Sequence, residues 1–261
     1  MGAESRFGVV IVGDEILSGK RTDRHLRHVI DTLAARGQQV AWSRVVSDRR
    51  DRLVHALRQT RQDAVPVLCF GGIGATPDDQ TRQAAGEAFG CTLARHPEAQ
   101  ALIEMRFGGE AWPVRVRMAD LPESCQLIPN PCSGVPGFTL YKHHFFPGFT
   151  AMAWPMLDWV LDTSYPSCTR PLQERSVRVF DVAESELVGL MEELNGSHPG
   201  AGLFSLPRMA AIKSVEIGFR GEHGRVEPAF SELVMALDRR ALHYELAGGK
   251  RTNAAIRQAA V

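Results

Sequence analysis

Over its first hundred residues the chain alternates short apolar runs with stretches of helical periodicity. Residues 7–12 and 65–70 form apolar runs of strand length, and residues 39–46 read as a strand between them. Leu26, Val29, Ile30 and Leu33 recur at helical spacing; Asp23 stands where that helix needs a cap, and Gly37 where it should stop. Leu53, Val54 and Leu57 mark another helix with Asp48 placed to cap it, and helices are predicted over residues 80–89 and 98–107. Strand and helix in turn imply right-handed crossovers, hence an α/β fold whose parallel sheet is covered on both faces. In such sheets ligands bind beyond the carboxyl ends of the strands. Those ends carry Asp14 and Glu15, then Asp48, then the loop at residues 71–79, so three acidic elements are expected on one edge.

The pattern loosens after Gly108. Residues 118–134 are rich in Pro, Ser and Asn, residues 137–146 are strand-like, and Pro147-Gly148-Phe149-Thr150 opens a helix reaching about residue 162. A linker at residues 163–171 divides a main domain, 1–165, from a small α+β unit, 170–245. That unit reads as a strand at 176–182, a helix capped near 183–185, strands at 202–206 and 212–219, and a helix at about 227–242. The tail, 246–261, offers little to bury and is expected to be disordered.

Composition narrows the partners. Thirty Lys and Arg balance thirty Asp and Glu, so the formal net charge is zero and no basic footprint points to nucleic acid. No stretch approaches the ~18 apolar residues of a membrane span. Glu4 and Arg6 interrupt any leader pattern at the N-terminus. Cys69, Cys91, Cys125, Cys132 and Cys168 form an odd set without a C-x-x-C pair, which suits reduced thiols in the cytoplasm better than disulfides or structural zinc.

The densest chemistry lies in Gly71-Gly72-Ile73-Gly74-Ala75-Thr76-Pro77-Asp78-Asp79-Gln80-Thr81. Three glycines in four residues allow a tight turn and close approach of a ligand to the backbone. Thr76 occupies an expected N-cap, Pro77 the first helical position and Asp79 the third, a capping box with Asp in place of Glu. Free N–H groups at a helix start favour phosphate. A first-turn carboxylate contributes only ~0.3–1 kcal/mol to a helix. Asp78 and Asp79 together would repel a bare phosphate, so a bound metal ion or a ligand hydroxyl explains them better.

These segments amount to a resemblance. Gly13-Asp14-Glu15-Ile16-Leu17-Ser18-Gly19, the strand end Val45-Val46-Ser47-Asp48 and the run from Gly71 to Thr81 resemble the MogA/MoaB-like molybdopterin-binding fold of molybdenum-cofactor biosynthesis proteins. The likeness is strongest to the branch at the N-terminus of competence/damage-inducible protein A. Leu127-Ile128-Pro129-Asn130-Pro131, Phe146-Pro147-Gly148, Ala183-Glu184-Ser185-Glu186-Leu187 and Ser205-Leu206-Pro207-Arg208 extend it over residues 7–242.

The resemblance implies a three-layer αβα fold with a mostly parallel sheet, a homo-oligomer, and a site for a phosphorylated pterin or nucleotide. It ties Asp48 and Asp79 to metal-assisted adenylyl chemistry. The competence-protein branch is similar to enzymes that split nucleotide pyrophosphates such as ADP-ribose, releasing AMP with Mg, Mn or Co and with potassium, and a related eukaryotic domain hydrolyses FAD. A molybdopterin carrier or adenylyltransferase is the alternative, and a non-catalytic interaction module a second. On the hydrolase reading Asp79 and Glu15 hold the metal, while Asp48 or Asp14 orients the attacking water or a ribose hydroxyl. Gly13, Asp14, Gly71, Gly72 and Gly74 surround the ligand together with Thr76, Asp78, Thr81, Pro147 and Gly148; Lys20 and Arg21 are candidates for a distal phosphate.

This chain departs from the branch at Asp23, where Asn is usual, and at Phe149-Thr150, where a double proline is usual. The amidohydrolase domain of longer members is not seen, so nicotinamide-nucleotide deamidation is not expected. Plainer readings stand beside the functional ones: Asp48 as a helix cap, Asp79 as a capping-box member, Glu15 as a solvated turn residue. His25 and His28 share helical spacing but read as surface histidines, and His143 and His144 must point to opposite faces of a strand. Gly221-Glu222-His223-Gly224 fits an RNA-clamping G-x-x-G but lacks a basic residue and joins a strand to a helix, so RNA binding is not expected. Trp154 and Trp159 read as core or interface anchors.

Overall fold

The computed structural model describes residues 6–165, 173–208 and 213–247. The chain divides into two compact units, Met1–Thr169 and Arg170–Val261. The first begins with β1 (Arg6–Val12), the single turn α1 (Asp14–Leu17), α2 (His25–Ala35) and β2 (Gln39–Val46). Next come α3 (Arg50–Thr60), β3 (Val67–Phe70), α4 (Thr81–Phe89), β4 (Leu93–Arg95) and α5 (Pro97–Phe107). Two 3-10 turns, Gly108–Ala111 and Arg115–Ala119, lead into β5 (Asp120–Pro122), β6 (Gln126–Ile128), β7 (Gly137–Leu140), β8 (His143–Phe146) and α6 (Thr150–Ser164).

Six strands make the main sheet, in the order β2-β1-β3-β8-β7-β6. β1 pairs parallel with β2 and β3, and β3 parallel with β8; β7 runs antiparallel to both of its neighbours. Residues 7–12 and all of β3 are buried, as central strands covered on both faces must be. On one face Val10, Val67, Cys69 and Phe145 pack with Leu53 and Leu57 of α3 and Ala85 of α4. On the other, Val9, Ile11, Leu68 and Phe70 pack with Leu33 of α2 and Leu157 of α6. This is the expected three-layer arrangement.

Register brings the strand ends level: Val12 lies opposite Val46, Ile11 opposite Phe70, and Phe70 opposite Phe146. The chain lays β2 on one side of β1 and then crosses to β3 on the other. The crevice beyond the carboxyl ends of β1 and β3 is therefore the topological switch point where α/β sheets bind ligands.

Some local expectations need correction. Residues 137–146 form a hairpin, not one strand, because Tyr141 takes φ +54 and turns the chain between β7 and β8. α4 starts at Thr81, five residues beyond the expected cap at Thr76. α3 starts after Arg49 with no side-chain cap, so Asp48 is not its cap. Asp23 does cap α2, accepting the N–H groups of His25 and Leu26 at 2.9 and 3.0 Å.

The second unit holds β9 (Gln173–Phe180), α7 (Glu184–Ser197), β10 (Gly202–Arg208), β11 (Ser214–Gly221), α8 (His223–Arg239) and β12 (Tyr244–Leu246). Its antiparallel sheet, ordered β10-β11-β9-β12, encloses its own core of Val177, Ile217, Phe219, Leu190 and Leu233. Leu246, the first residue of the expected tail, is paired with Val177. The expected linker at 163–171 starts inside α6, which runs to Ser164; residues 166–172, Cys168 among them, and residues 248–261 lie outside the described residues. Among those described, Cys69, Cys91, Cys125 and Cys132 are free thiols, and no helix is long and apolar enough to cross a membrane.

Candidate functional site

The loops beyond β2, β1, β3 and β8 stand side by side and build the site. Gly13 donates its N–H to Val46 O at 3.1 Å, which ties the β1 loop to the end of β2. A Cβ on Gly13 would sit 2.8 Å from the Glu15 carboxylate, so Glu15 folds back over a position that glycine leaves free. Asp14 is exposed, and its backbone N–H donates to Asp48 Oδ2 at 2.8 Å. Burial raises the Asp48 carboxyl above the usual carboxylate range. The Asp14 N–H opposes that shift, and repulsion by Asp14, Glu15 and Asp78 adds to it. Four of the carboxylates singled out in the sequence thus share one electrostatic field.

The glycine loop is a backbone cradle. Gly71 and Gly72 take φ +105 and +69, and a Cβ there would meet Val12 O at 2.5 Å and Thr81 Oγ1 at 2.2 Å. Thr81 closes the loop: its N–H donates to Gly72 O at 2.9 Å and its hydroxyl to Gly71 O at 3.0 Å. The Gly71 N–H is taken by Phe146 O at 3.0 Å. Among the described residues the N–H groups of Gly72, Ile73 and Gly74 find no protein acceptor, which leaves three adjacent donors for a ligand.

Thr76 and Asp79 close a turn of their own. Asp79 Oδ2 accepts the Thr76 N–H at 2.9 Å and the Thr76 hydroxyl at 2.5 Å, and the Asp79 N–H returns to Thr76 O at 3.1 Å. The bond expected of a capping box is present without the helix. The Thr76 hydroxyl and its own N–H hold the exposed Asp78 carboxyl below the usual range. Pro147 is half-buried and Gly148 exposed; a Cβ on Gly148 would lie 3.6 Å from Gly71 Cα, so the β8 and β3 loops touch. Lys20 and Arg21 are exposed beyond α1, where the Arg21 N–H donates to Glu15 O at 3.0 Å.

The histidines serve packing. His25 is buried, not superficial: its Nε2 donates to Gly148 O at 3.0 Å and its ring stacks on Phe70 at 4.6 Å. His28 stacks on Trp154 at 4.0 Å. His143 pairs with Thr60 and His144 with Thr139 and Tyr165, from opposite faces of β8.

Sequence reasoning missed Arg82. Only 3% exposed, its guanidinium donates to the carbonyls of Gly74 at 2.7 Å, Asp120 at 2.9 Å and Arg117 at 2.5 Å. It pins the far end of the glycine loop from inside. A lone Arg one residue after Thr81, on the apolar face of α4, was the available signal. Beside it a cavity of about 710 Å³ is lined by Thr76, Pro77, Gln80, Arg82 and Asp120.

The family of this architecture follows from comparison. A family model described as a probable molybdopterin binding domain matches residues 8–166. The chain belongs to this family. A CinA-like protein of Citrifermentans bemidjiense is 33% identical over 198 residues, covering 72% of this chain and 47% of its own. The chain thus spans about half the length of the CinA-like relatives it matches. A protein of Caldivirga maquilingensis is 28% identical over 253 residues, 88% of this chain and 95% of its own. The crystal structure of CinA, of unknown function, from Thermoplasma acidophilum superimposes with a TM-score of 0.57 at 28% identity, over 60% of this chain and 96% of that one.

Within this molybdopterin-binding domain, no three His, Cys, Asp or Glu side chains among the described residues converge as a ready cage for a metal ion. The donor set fits a different kind of ion. Asp14, Glu15 and Asp48 are hard oxygen donors whose mutual repulsion a cation would relieve. A magnesium-type ion is held by one or two carboxylates plus ligand phosphates and water. Asp79 already spends one carboxylate oxygen on Thr76.

Proposed function

We propose that the domain binds a nucleotide through its phosphates and hydrolyses a nucleotide pyrophosphate of the ADP-ribose or FAD type to release AMP. The observation that carries this reading is the juxtaposition at one sheet edge of three free N–H donors, Gly72 to Gly74, with the carboxylates of Asp14, Glu15 and Asp48. Amides bind phosphate oxygens, and pre-oriented donors stabilise charge that develops on them. Asp48 has the attributes of a base: its raised pKa strengthens its hold on a proton, and its second oxygen is not engaged with Asp14. Water attacks one phosphorus, its proton passes to Asp48, and the bond from that phosphorus to the bridging oxygen breaks. The bridging oxygen leaves with the other phosphate.

A divalent ion, Mg, Mn or Co, held by Glu15 with Asp79 or its acidic neighbours, would supply neutralisation of phosphate charge. Potassium and assembly as a homo-oligomer belong to the same proposal. Gly13, Pro147 and Gly148 shape the walls, and Lys20 and Arg21 offer cations to a distal phosphate.

A second reading rests on the family match, which is to a probable molybdopterin binding domain. On it the same cradle holds the phosphate of molybdopterin, as a carrier or an adenylyltransferase. The deciding test incubates the full chain with ADP-ribose or FAD, each metal and potassium, and follows AMP. Metal-dependent release lost in Asp48→Asn and Asp79→Asn supports the hydrolase. No release with any metal, together with molybdopterin binding, moves the assignment to the second reading.

A further inference from the structure

Phe149 is 65% exposed, more than any other Phe, Tyr or Trp among the described residues. Apolar surface left in water is unfavourable, so a large ring held out at a ligand edge calls for a reason. Its position is fixed. Phe149 O accepts the N–H groups of Met152 and Ala153 at 3.0 and 2.9 Å, which anchors it at the start of α6. The preceding carbonyl, Gly148 O, is held by His25 Nε2 at 3.0 Å. Further along α6, Trp154 is already stacked on His28; the Phe149 ring has no such partner among the described residues.

Its place is equally specific. β8 is the immediate neighbour of β3, and adjacent strands lie ~4.8 Å apart. Gly148 packs against Gly71 closely enough that a Cβ would reach 3.6 Å from its Cα. Phe149 directly follows Gly148, so it starts at the wall where the β8 loop meets the glycine loop. We propose that Phe149 is the platform on which the purine ring of a nucleotide stacks while its phosphate lies on the Gly71–Gly74 backbone. This rests on the nucleotide reading above and adds the residue that makes the site select a ring.

The test titrates the full chain with AMP and with ribose 5-phosphate, which has the same sugar phosphate but no base. Stacking of a base on an aromatic side chain corresponds to about 5–150-fold in affinity. Phe149→Ala should weaken AMP by that factor, leave ribose 5-phosphate unchanged and keep the melting temperature, while Phe149→Trp restores AMP. Unchanged AMP affinity in Phe149→Ala overturns the proposal. So does equal weakening of both ligands, or a wild type that does not prefer AMP over ribose 5-phosphate. Base-dependent binding without AMP release from ADP-ribose removes the hydrolase and leaves the platform standing.

Discussion

Asp48 Oδ2 accepts the backbone N–H of Asp14 at 2.8 Å, a bond that joins the ends of β2 and β1 across 34 positions of sequence. The same carboxyl is raised, by burial first and by Asp14, Glu15 and Asp78 after it. Between the ordinary carboxylate value and its raised one, the folded chain binds more protons than the unfolded chain. Stability therefore falls as pH rises through that window, and the penalty persists at neutral pH. Asp48→Asn keeps an acceptor for Asp14 and discards the charge. It should melt no lower than wild type at pH 7, with the difference closing as pH falls below the carboxylate range. On the hydrolase reading it should also lose about 10²–10⁴-fold in AMP release, the contribution of a general base. Melting curves from pH 3 to 7 beside turnover measure both, and a variant that melts lower with activity intact would make Asp48 purely structural.

Gly72 should not tolerate a side chain. Its φ of +69 is left-handed, and a Cβ would stand 2.2 Å from Thr81 Oγ1. Left-handed backbone costs a non-glycine residue roughly 1–2 kcal/mol before any clash. Moving Thr81 also breaks its bonds to Gly71 and Gly72, about 1 kcal/mol each. Gly72→Ala is expected to destabilise by about 2–4 kcal/mol in denaturant unfolding and to abolish phosphate binding. Thr81→Ser, which keeps the hydroxyl, should cost far less than Thr81→Val. Equal losses in those two would show that the hydroxyl does not close the loop.

Arg82 provides a third test. Three carbonyls from Gly74, Arg117 and Asp120 converge on its guanidinium, and burial lowers its pKa without a carboxylate in direct contact. A methionine of similar length would leave those buried acceptors unpaired, at about 1–3 kcal/mol for each one that water cannot reach. Arg82→Met should lower stability by roughly 3 kcal/mol or more and loosen the glycine loop. Hydrogen exchange at Asp79 and Thr81, whose N–H groups bond to Thr76 O and Gly72 O within the same loop, reads the second effect, and protection equal to wild type would count against it.

What the sequence disclosed depended on range. The strand-like stretch at residues 39–46 and the apolar run at 7–12 are local signals, and β2 and β1 follow them. So does Asp23, whose caps lie two and three residues away. Asp48 misled because its partner is distant in sequence, while a cap was available nearby in principle. Thr76 to Asp79 carried a capping signature, yet Thr81 bonds back to Gly72 and sets the helix start itself. The turn at Tyr141 uses none of the usual turn residues, and β4, β5, β6 and β12 span three residues each, too few for any periodicity. The acidic edge was legible, since strand order alone places it; Arg82 was not, since its role is to bond backbone carbonyls from three separate segments.

His143 and His144 predict how the first unit fails in acid. Burial pushes both imidazoles down to about 4, with His144 and Arg61 adding to the effect at His143. In the unfolded chain each titrates near 6.5. Between those values the unfolded state binds protons that the folded state refuses, so stability present above about pH 6.5 is lost as pH falls toward 4. At 1.36 kcal/mol per pH unit the loss is on the order of 3 kcal/mol for each histidine. Against a typical stability of about 5–15 kcal/mol, two such residues dominate the acid limb. This runs opposite to Asp48, whose smaller relief appears only in the carboxylate range. His143→Leu forfeits the 2.9 Å bond to Thr60, whose hydroxyl keeps Leu57 O at 3.0 Å. It should therefore be slightly less stable at pH 7.5 and lose stability about half as steeply between pH 6.5 and 4.5. Chemical denaturation across that interval measures the slope, and an unchanged slope in His143→Leu would mean that the acid limb arises elsewhere.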